Sequence, residues 1–140
     1  MKAVLFDLDG TLIDTAADFI RIIQDMCREQ QRPVVDADTS SSQVSEGARA
    51  MVKLVYPELA IDDATFLAHR QDFLDRYGQQ IVVETDLFEG MYPLLHMLEQ
   101  HQIPWGIVTN KPRNLSESLL EALNLQQRCS VLVCPDDVTH

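Results

Sequence analysis

Asp7 and Asp9 close an apolar run near the start of the chain, AVLFDLDGTLIDT (residues 3–15), and a Gly-Thr pair follows them. Strands usually bury their side chains, and an unpaired buried carboxylate is expensive, so this charge needs a partner. Residues two apart in an extended segment face the same side, which is expected to bring both carboxylates to one small volume. Gly10 permits a sharp turn, and Thr11 adds a hydroxyl. Two carboxylates so close repel unless a cation or shared proton relieves them; Mg2+ suits hard oxygen ligands with few protein contacts. One carboxylate can then stay ionised as a nucleophile while the other moves protons, as in phosphoryl transfer through an aspartyl-phosphate. Thr15 or Asp14 is expected to cap the next helix, and Asp14 is read as a cap rather than a catalyst.

A second candidate group sits in VTNK (108–111), where an apolar stretch turns polar. Ligands of open α/β sheets bind beyond the carboxyl ends of the strands. Adjacent strands lie about 4.8 Å apart, so the Thr109 hydroxyl is expected to reach a phosphoryl oxygen held against Asp7. Lys111 follows directly. Arg49, in SEGARAMV near a helix start, either forks onto a ligand carboxylate or sugar group or is an exposed helix arginine. Lys53 is expected on a solvated face.

These groups need elements to hold them. Residues 3–8 read as a strand buried on both faces. From 15 to 31 the period turns helical, with Phe19, Ile22, Ile23, Met26 and Cys27 on one face and Asp18, Arg21, Asp25 and Arg28 around the rest. Residues 32–42 are turn-rich. Helices are expected over 45–55, ended by Pro57, and over 62–78, with Phe66, Phe73, Leu74 and Tyr77 inward. A turn and a helix carrying Leu94, Leu95 and Leu98 then lead to a strand at 103–110. A helix over 113–125 and a strand over 129–134 complete the pattern. Residues 1–14 and 86–140 thus alternate strand and helix, the signature of an α/β protein with a parallel sheet. An all-helical insert, 15–85, divides them.

The chain has 22 acidic and 11 basic residues and a net charge of −11, which argues against nucleic acid or an anionic membrane as partner. No apolar run approaches membrane-spanning length, and the early acidic residues do not suit a signal peptide; a cytoplasmic protein is expected. Cys27, Cys129 and Cys134 form no CxxC pair, and His69, His96, His101 and His140 lack zinc-ligand spacing.

DLDGT at 7–11 after an N-terminal strand, VTNK at 108–111 and the helical insert between them resemble the haloacid dehalogenase superfamily. With FEGM, WGIVTNKP and CPDD, the chain is similar to phosphoglycolate phosphatases; SEGARAMV adds a resemblance to N-acetylmuramic acid 6-phosphate phosphatases. The resemblance implies a parallel Rossmann-like core, here about three strands from 1–14 and 86–140, with 15–85 as a helical cap. It implies Asp7 as nucleophile, Asp9 as general acid/base, and Mg2+ held by Asp7 and by Asp9 through its backbone carbonyl. Thr109 would bind the phosphoryl group with Gly10, Thr11 and Asn110, while Lys111 and Arg49 would face substrate. The implied activity is Mg2+-dependent hydrolysis of a small phosphorylated metabolite, of the 2-phosphoglycolate or N-acetylmuramic acid 6-phosphate type. A phosphosugar mutase or a non-catalytic interaction module are the alternatives.

The superfamily also has a third-motif lysine and a fourth-motif acidic pair after the third strand. Residues 112–140 contain no lysine. Asp136 and Asp137 follow a strand expected two positions from the first, roughly 10 Å away, and are discounted as metal ligands. The sequence therefore reads as the N-terminal part of a longer phosphatase, with little or no turnover expected from these 140 residues alone. AVLFDL is expected as a bare strand edge through which copies could associate.

Overall fold

The first strand, β1 (Val4–Phe6), pairs on one side only among the described residues. The computed structural model describes residues 2–137, so His140 lies outside the described residues. Numbered along the chain, β2 is Ile13–Asp14, β3 Asp86–Leu87, β4 Trp105–Val108 and β5 Leu132–Val133. β1, β4 and β5 form a parallel sheet in the order β1-β4-β5, with Val4 opposite Trp105 and Phe6 opposite Ile107. β5 lies two positions from β1, as expected, and β1 is an edge strand among the described residues.

The sheet's core gathers Leu8, Leu95, Trp105, Ile107 and Leu119, two of them from the helices α5 (Met91–Gln100) and α6 (Arg113–Ala122). Trp105 stands edge-on to Phe6 and donates through Nε1 to Glu99 at 3.0 Å. Because pleated residues alternate sides, Leu5 and Val108 fall on the other face, where both are exposed. A Cβ on Gly106 would meet the Val131 carbonyl oxygen at 2.7 Å, so only glycine lets β4 lie this close to the 131 backbone.

Between β2 and β3 run α1 (Ala16–Glu29), α2 (Ala37–Ser41), α3 (Ala48–Val55) and α4 (Ala64–Gln79). Their shared core contains Phe19, Ile23, Met51, Phe66 and Phe73, and Leu115 of α6 joins it. Phe19 meets Phe73 and Tyr77 edge-to-face at 5.4 and 5.0 Å. No described helix is long and apolar enough to cross a membrane. Lys53 donates to the Leu59 carbonyl rather than standing free on a solvated face.

Two elements differ from the sequence reading. The turn-rich 32–42 stretch contains α2, whose first turn is closed by Asp36 accepting from the Thr39 N–H (2.7 Å) and hydroxyl; one good side-chain cap supports so short a helix. The antiparallel β2–β3 pair sets Ile13 against Leu87 and Asp14 against Asp86, and strands of two residues leave no periodicity to read. The N-cap position of α1 is Thr15, and Asp14 just before it accepts from Ala16 N at 3.1 Å. Thr15 makes no cap bond, because its hydroxyl is used elsewhere.

Asp18 also departs from expectation: it is fully buried, not on the polar side of α1. Its carboxylate accepts from Val83 N (3.1 Å), Glu84 N (2.9 Å), the Thr85 hydroxyl and Arg21 (2.7 Å), tying α1 to the strand of chain that leads back to the sheet. Burial alone would push its carboxyl up, but Thr85, Arg21 and the two N–H groups outweigh it and hold it below the usual carboxylate range. A depressed folded pKa adds stability that is complete above the unfolded value of 3.8 and lost as pH falls through the lower folded value. Asp18→Asn is therefore expected to cost about 3 kcal/mol at pH 7, with the gap to wild type narrowing below pH 3.8. Urea midpoints across pH check this; a gap independent of pH would contradict it.

Candidate active site

Beyond Phe6 the chain curls instead of staying extended. The Leu8 carbonyl accepts from the N–H groups of Thr11, Leu12 and Ile13 (3.3, 3.1 and 3.0 Å), and Asp7 O accepts from Leu12 N at 3.3 Å. The two aspartates have different surroundings. Asp7 is exposed, and its Oδ1 accepts only the neighbouring Leu8 N–H at 2.8 Å. Asp9 is 3% exposed. Its Oδ1 accepts from both Thr15 Oγ1 and Lys111 Nζ, each at 2.9 Å, while Oδ2 carries no hydrogen bond among the described residues.

Lys111, 102 positions from Asp9, is almost wholly buried. Its ammonium also donates to Tyr77 OH at 2.8 Å and lies 4.2 Å from the Tyr77 ring centre and 5.0 Å from that of Phe19. Burial draws the Lys111 ammonium below its ordinary range even with Asp9 opposing. Burial likewise pushes the Tyr77 hydroxyl up, with Asp9 and Asp18 adding to it, so the phenol stays neutral and can accept from Lys111.

Thr109 is buried, and its Oγ1 accepts from Lys111 N at 3.1 Å, which aims the lysine's start. Asn110 is exposed and donates through Nδ2 to the Glu46 carbonyl at 3.3 Å. Gly47, at φ +88°, lies so near that a Cβ would come within 3.2 Å of Asn110 Nδ2; one on Gly10 (φ +82°) would reach Ser45 Cβ at 3.0 Å. Both glycines permit the 44–47 segment before α3 to seat on the strand-end loops. The N–H groups of Gly10 and Thr11 are spent on Ile13 O and Leu8 O, which leaves Thr11 its hydroxyl and leaves the Asn110 N–H without a backbone acceptor among the described residues.

A cleft of about 340 Å³ opens between these parts, within the size range of small-ligand pockets. Asp9, Asn110 and Lys111 line it from the sheet side, Arg49 from α3, and Arg70 and Tyr77 from α4. Asp7, Gly10, Thr11 and Thr109 are not among its lining residues. Among the described residues no three Asp, Glu, His or Cys side chains group closely enough to cage an ion. Asp7 Oδ2 and the Asp9 carbonyl nevertheless take no hydrogen bond among the described residues. Two uncommitted hard oxygens fit a cation that keeps several waters, as Mg2+ does. Asp136 accepts from Arg113 N at 3.0 Å and Asp137 pairs with the Arg113 guanidinium, so both serve the start of α6.

The parallel sheet, divided by a helical insert, carries acidic residues just past its first strand. The model of the haloacid dehalogenase-like hydrolase family matches residues 4–140, and the chain belongs to that family. Over 142 aligned residues, the whole of this chain, it is 45% identical to an N-acetylmuramic acid 6-phosphate phosphatase of Pseudomonas putida, covering 62% of that protein. It is 41% identical over 139 residues to a phosphoglycolate phosphatase of Xanthomonas campestris, covering 99% of this chain and 62% of that one. The chain thus spans under two thirds of the length of these relatives. The fold matches a crystal structure of a predicted phosphoglycolate phosphatase from Haemophilus somnus (TM-score 0.83, 20% identity), covering all of this chain and 65% of that one. It also matches a HAD hydrolase from Entamoeba histolytica (TM-score 0.77, 17% identity), covering 100% and 64%.

Three residues at or beside the site escaped the sequence reading, and each left a trace. Phe66, Arg70, Phe73 and Tyr77 follow the i, i+4, i+7, i+11 spacing of one helix face, so Arg70 interrupts an apolar stripe. Asp18 falls likewise between Thr15 and Ile22 on the inner face of α1. The Tyr77 ring is core, as the α4 stripe predicts, and what the stripe does not show is that its hydroxyl is a partner of Lys111.

Proposed function

We propose that these residues form the nucleophile-bearing and substrate-selecting part of a Mg2+-dependent phosphomonoesterase acting, in the cytoplasm, on 2-phosphoglycolate or N-acetylmuramic acid 6-phosphate. Asp9 carries this reading: one oxygen is anchored by Thr15 and Lys111 and the other is unbonded, in a cleft at the carboxyl end of the sheet. The relatives' names support the substrate class.

In this mechanism an oxygen of Asp7 forms a bond to phosphorus in line with the ester oxygen, and the P–O bond to the alcohol breaks. The departing oxygen takes its proton from Asp9 at Oδ2. Asp9 then accepts a proton from water as the water oxygen attacks phosphorus, and the bond from phosphorus to Asp7 breaks to release inorganic phosphate. The Asp7 carboxylate and the Asp9 carbonyl would hold Mg2+, which would supply positive charge for the phosphoryl oxygens. Thr109 and Asn110 bind those oxygens. The helices of 15–85 act as the cap over the core of 1–14 and 86–140, excluding water and choosing the alcohol.

Lys111 is committed to Asp9, and among the described residues Asp7 has no cationic partner. Residues 1–140 alone are therefore expected to bind a phosphoryl mimic but to turn over phosphomonoesters far below the ordinary 1–10³ s⁻¹, by roughly 10³-fold. Beryllofluoride with Mg2+ is expected to give a 19F signal that EDTA removes. Failure to bind it would overturn the phosphomonoesterase reading; turnover at ordinary rates would overturn the expected weakness of residues 1–140.

A further inference from the structure

Arg21, Arg28, Arg32, Arg76, Arg113 and Arg128 each pair with a carboxylate. Arg49 and Arg70 pair with none among the described residues, although acidic side chains outnumber basic ones two to one. Both line the same cleft. At Arg70 the contrast is sharper, because its Nε is buried and has no hydrogen-bond partner. A buried, unpaired guanidinium nitrogen costs free energy. Its place on α4 among Phe66, Phe73 and Tyr77 is one where an apolar residue would pack instead.

We propose that Arg70 is a specificity-determining residue that forks onto a carboxylate of the substrate, with Arg49 beside it, so that the preferred phosphomonoester carries a second anionic group on its alcohol side. The guanidinium presents donors in a fixed planar fork that matches a carboxylate bidentately. Asp9 and Asn110 line the cleft from the strand-end loops and Arg70 from α4, so the phosphoryl end of one ligand would face the former and its carboxylate end Arg70. This proposal rests on the phosphomonoesterase reading.

The test titrates the chain, with Mg2+ present, using 2-phosphoglycolate and its neutral counterpart 2-hydroxyethyl phosphate, and follows amide NMR shifts. The wild type is expected to bind 2-phosphoglycolate at least 10-fold more tightly. Arg70→Gln should lose about 10- to 100-fold in affinity for it and bind 2-hydroxyethyl phosphate unchanged. Arg70→Lys should recover only part, since a point charge lacks the fork. Arg70→Met should melt at the wild-type temperature or above it, because it removes an unsatisfied group. Equal binding of the two probes by the wild type, an equal loss on both in Arg70→Gln, or a strongly lowered melting temperature in Arg70→Met would overturn the assignment. Beryllofluoride binding separates the two readings: where it persists the phosphomonoesterase reading stands and only the carboxylate assignment falls, and where it is absent both fall.

Discussion

Asp7→Asn is expected to abolish phosphoryl uptake while leaving the fold unaltered. The side chain is exposed, and its one hydrogen bond is to the adjacent Leu8 N–H, which an amide oxygen can also accept. Stability should therefore move by no more than about 0.5 kcal/mol. The carboxylate oxygen is the atom that bonds phosphorus in the proposed mechanism, and an uncharged amide cannot replace it. Removing a nucleophile costs on the order of 10⁴-fold or more in rate. Acetyl phosphate labelling followed by intact mass should show one phosphoryl group on the wild type and none on the variant, and beryllofluoride binding should disappear with it. Labelling that persists in Asp7→Asn would move the nucleophile elsewhere.

Lys111→Met should have the largest effect on stability, about 3–5 kcal/mol. The Asp9 and Lys111 side chains are each only 4% exposed, and deleting the ammonium leaves Asp9 buried with only the Thr15 hydroxyl on Oδ1. Tyr77 OH loses its donor as well. Adding Asp9→Asn to Lys111→Met should restore part of the loss, because a neutral amide needs no counter-charge. Chemical denaturation of both single variants and the double variant measures this coupling; a loss under about 1 kcal/mol in Lys111→Met would contradict the ion pair's role. The pH dependence has a defined sign. Burial lowers the folded Lys111 value below 10.5, so between the two values the unfolded chain holds more protons and wild-type stability rises with pH. Lys111→Met should lack that rise.

The positions of the strands and main helices were legible because they depend on local periodicity. The inward stripes of α1 and α4, the apolar run into β1 and the order of strand and helix after residue 86 are short-range patterns. The site was legible as far as residues at strand ends mark it, namely Asp7 and Asp9 after β1 and Thr109 to Lys111 after β4. The short β2–β3 pair, two residues on each side, was not. Neither was the curl at Leu8, where three N–H groups converge on one carbonyl, nor the burial of Asp9 beside an exposed Asp7.

By itself, then, the sequence determined the α/β alternation, the helical insert and the candidate nucleophile, since each is written in neighbouring residues. Tertiary structure alone decided what the charges face. Lys111 meets Asp9 across 102 positions, Asp18 meets Val83 across 65, and Arg70 is left without a carboxylate among the described residues. Those outcomes depend on how the helical core and the sheet core dock against each other. The low dielectric between them makes each buried pairing, or its absence, energetically decisive.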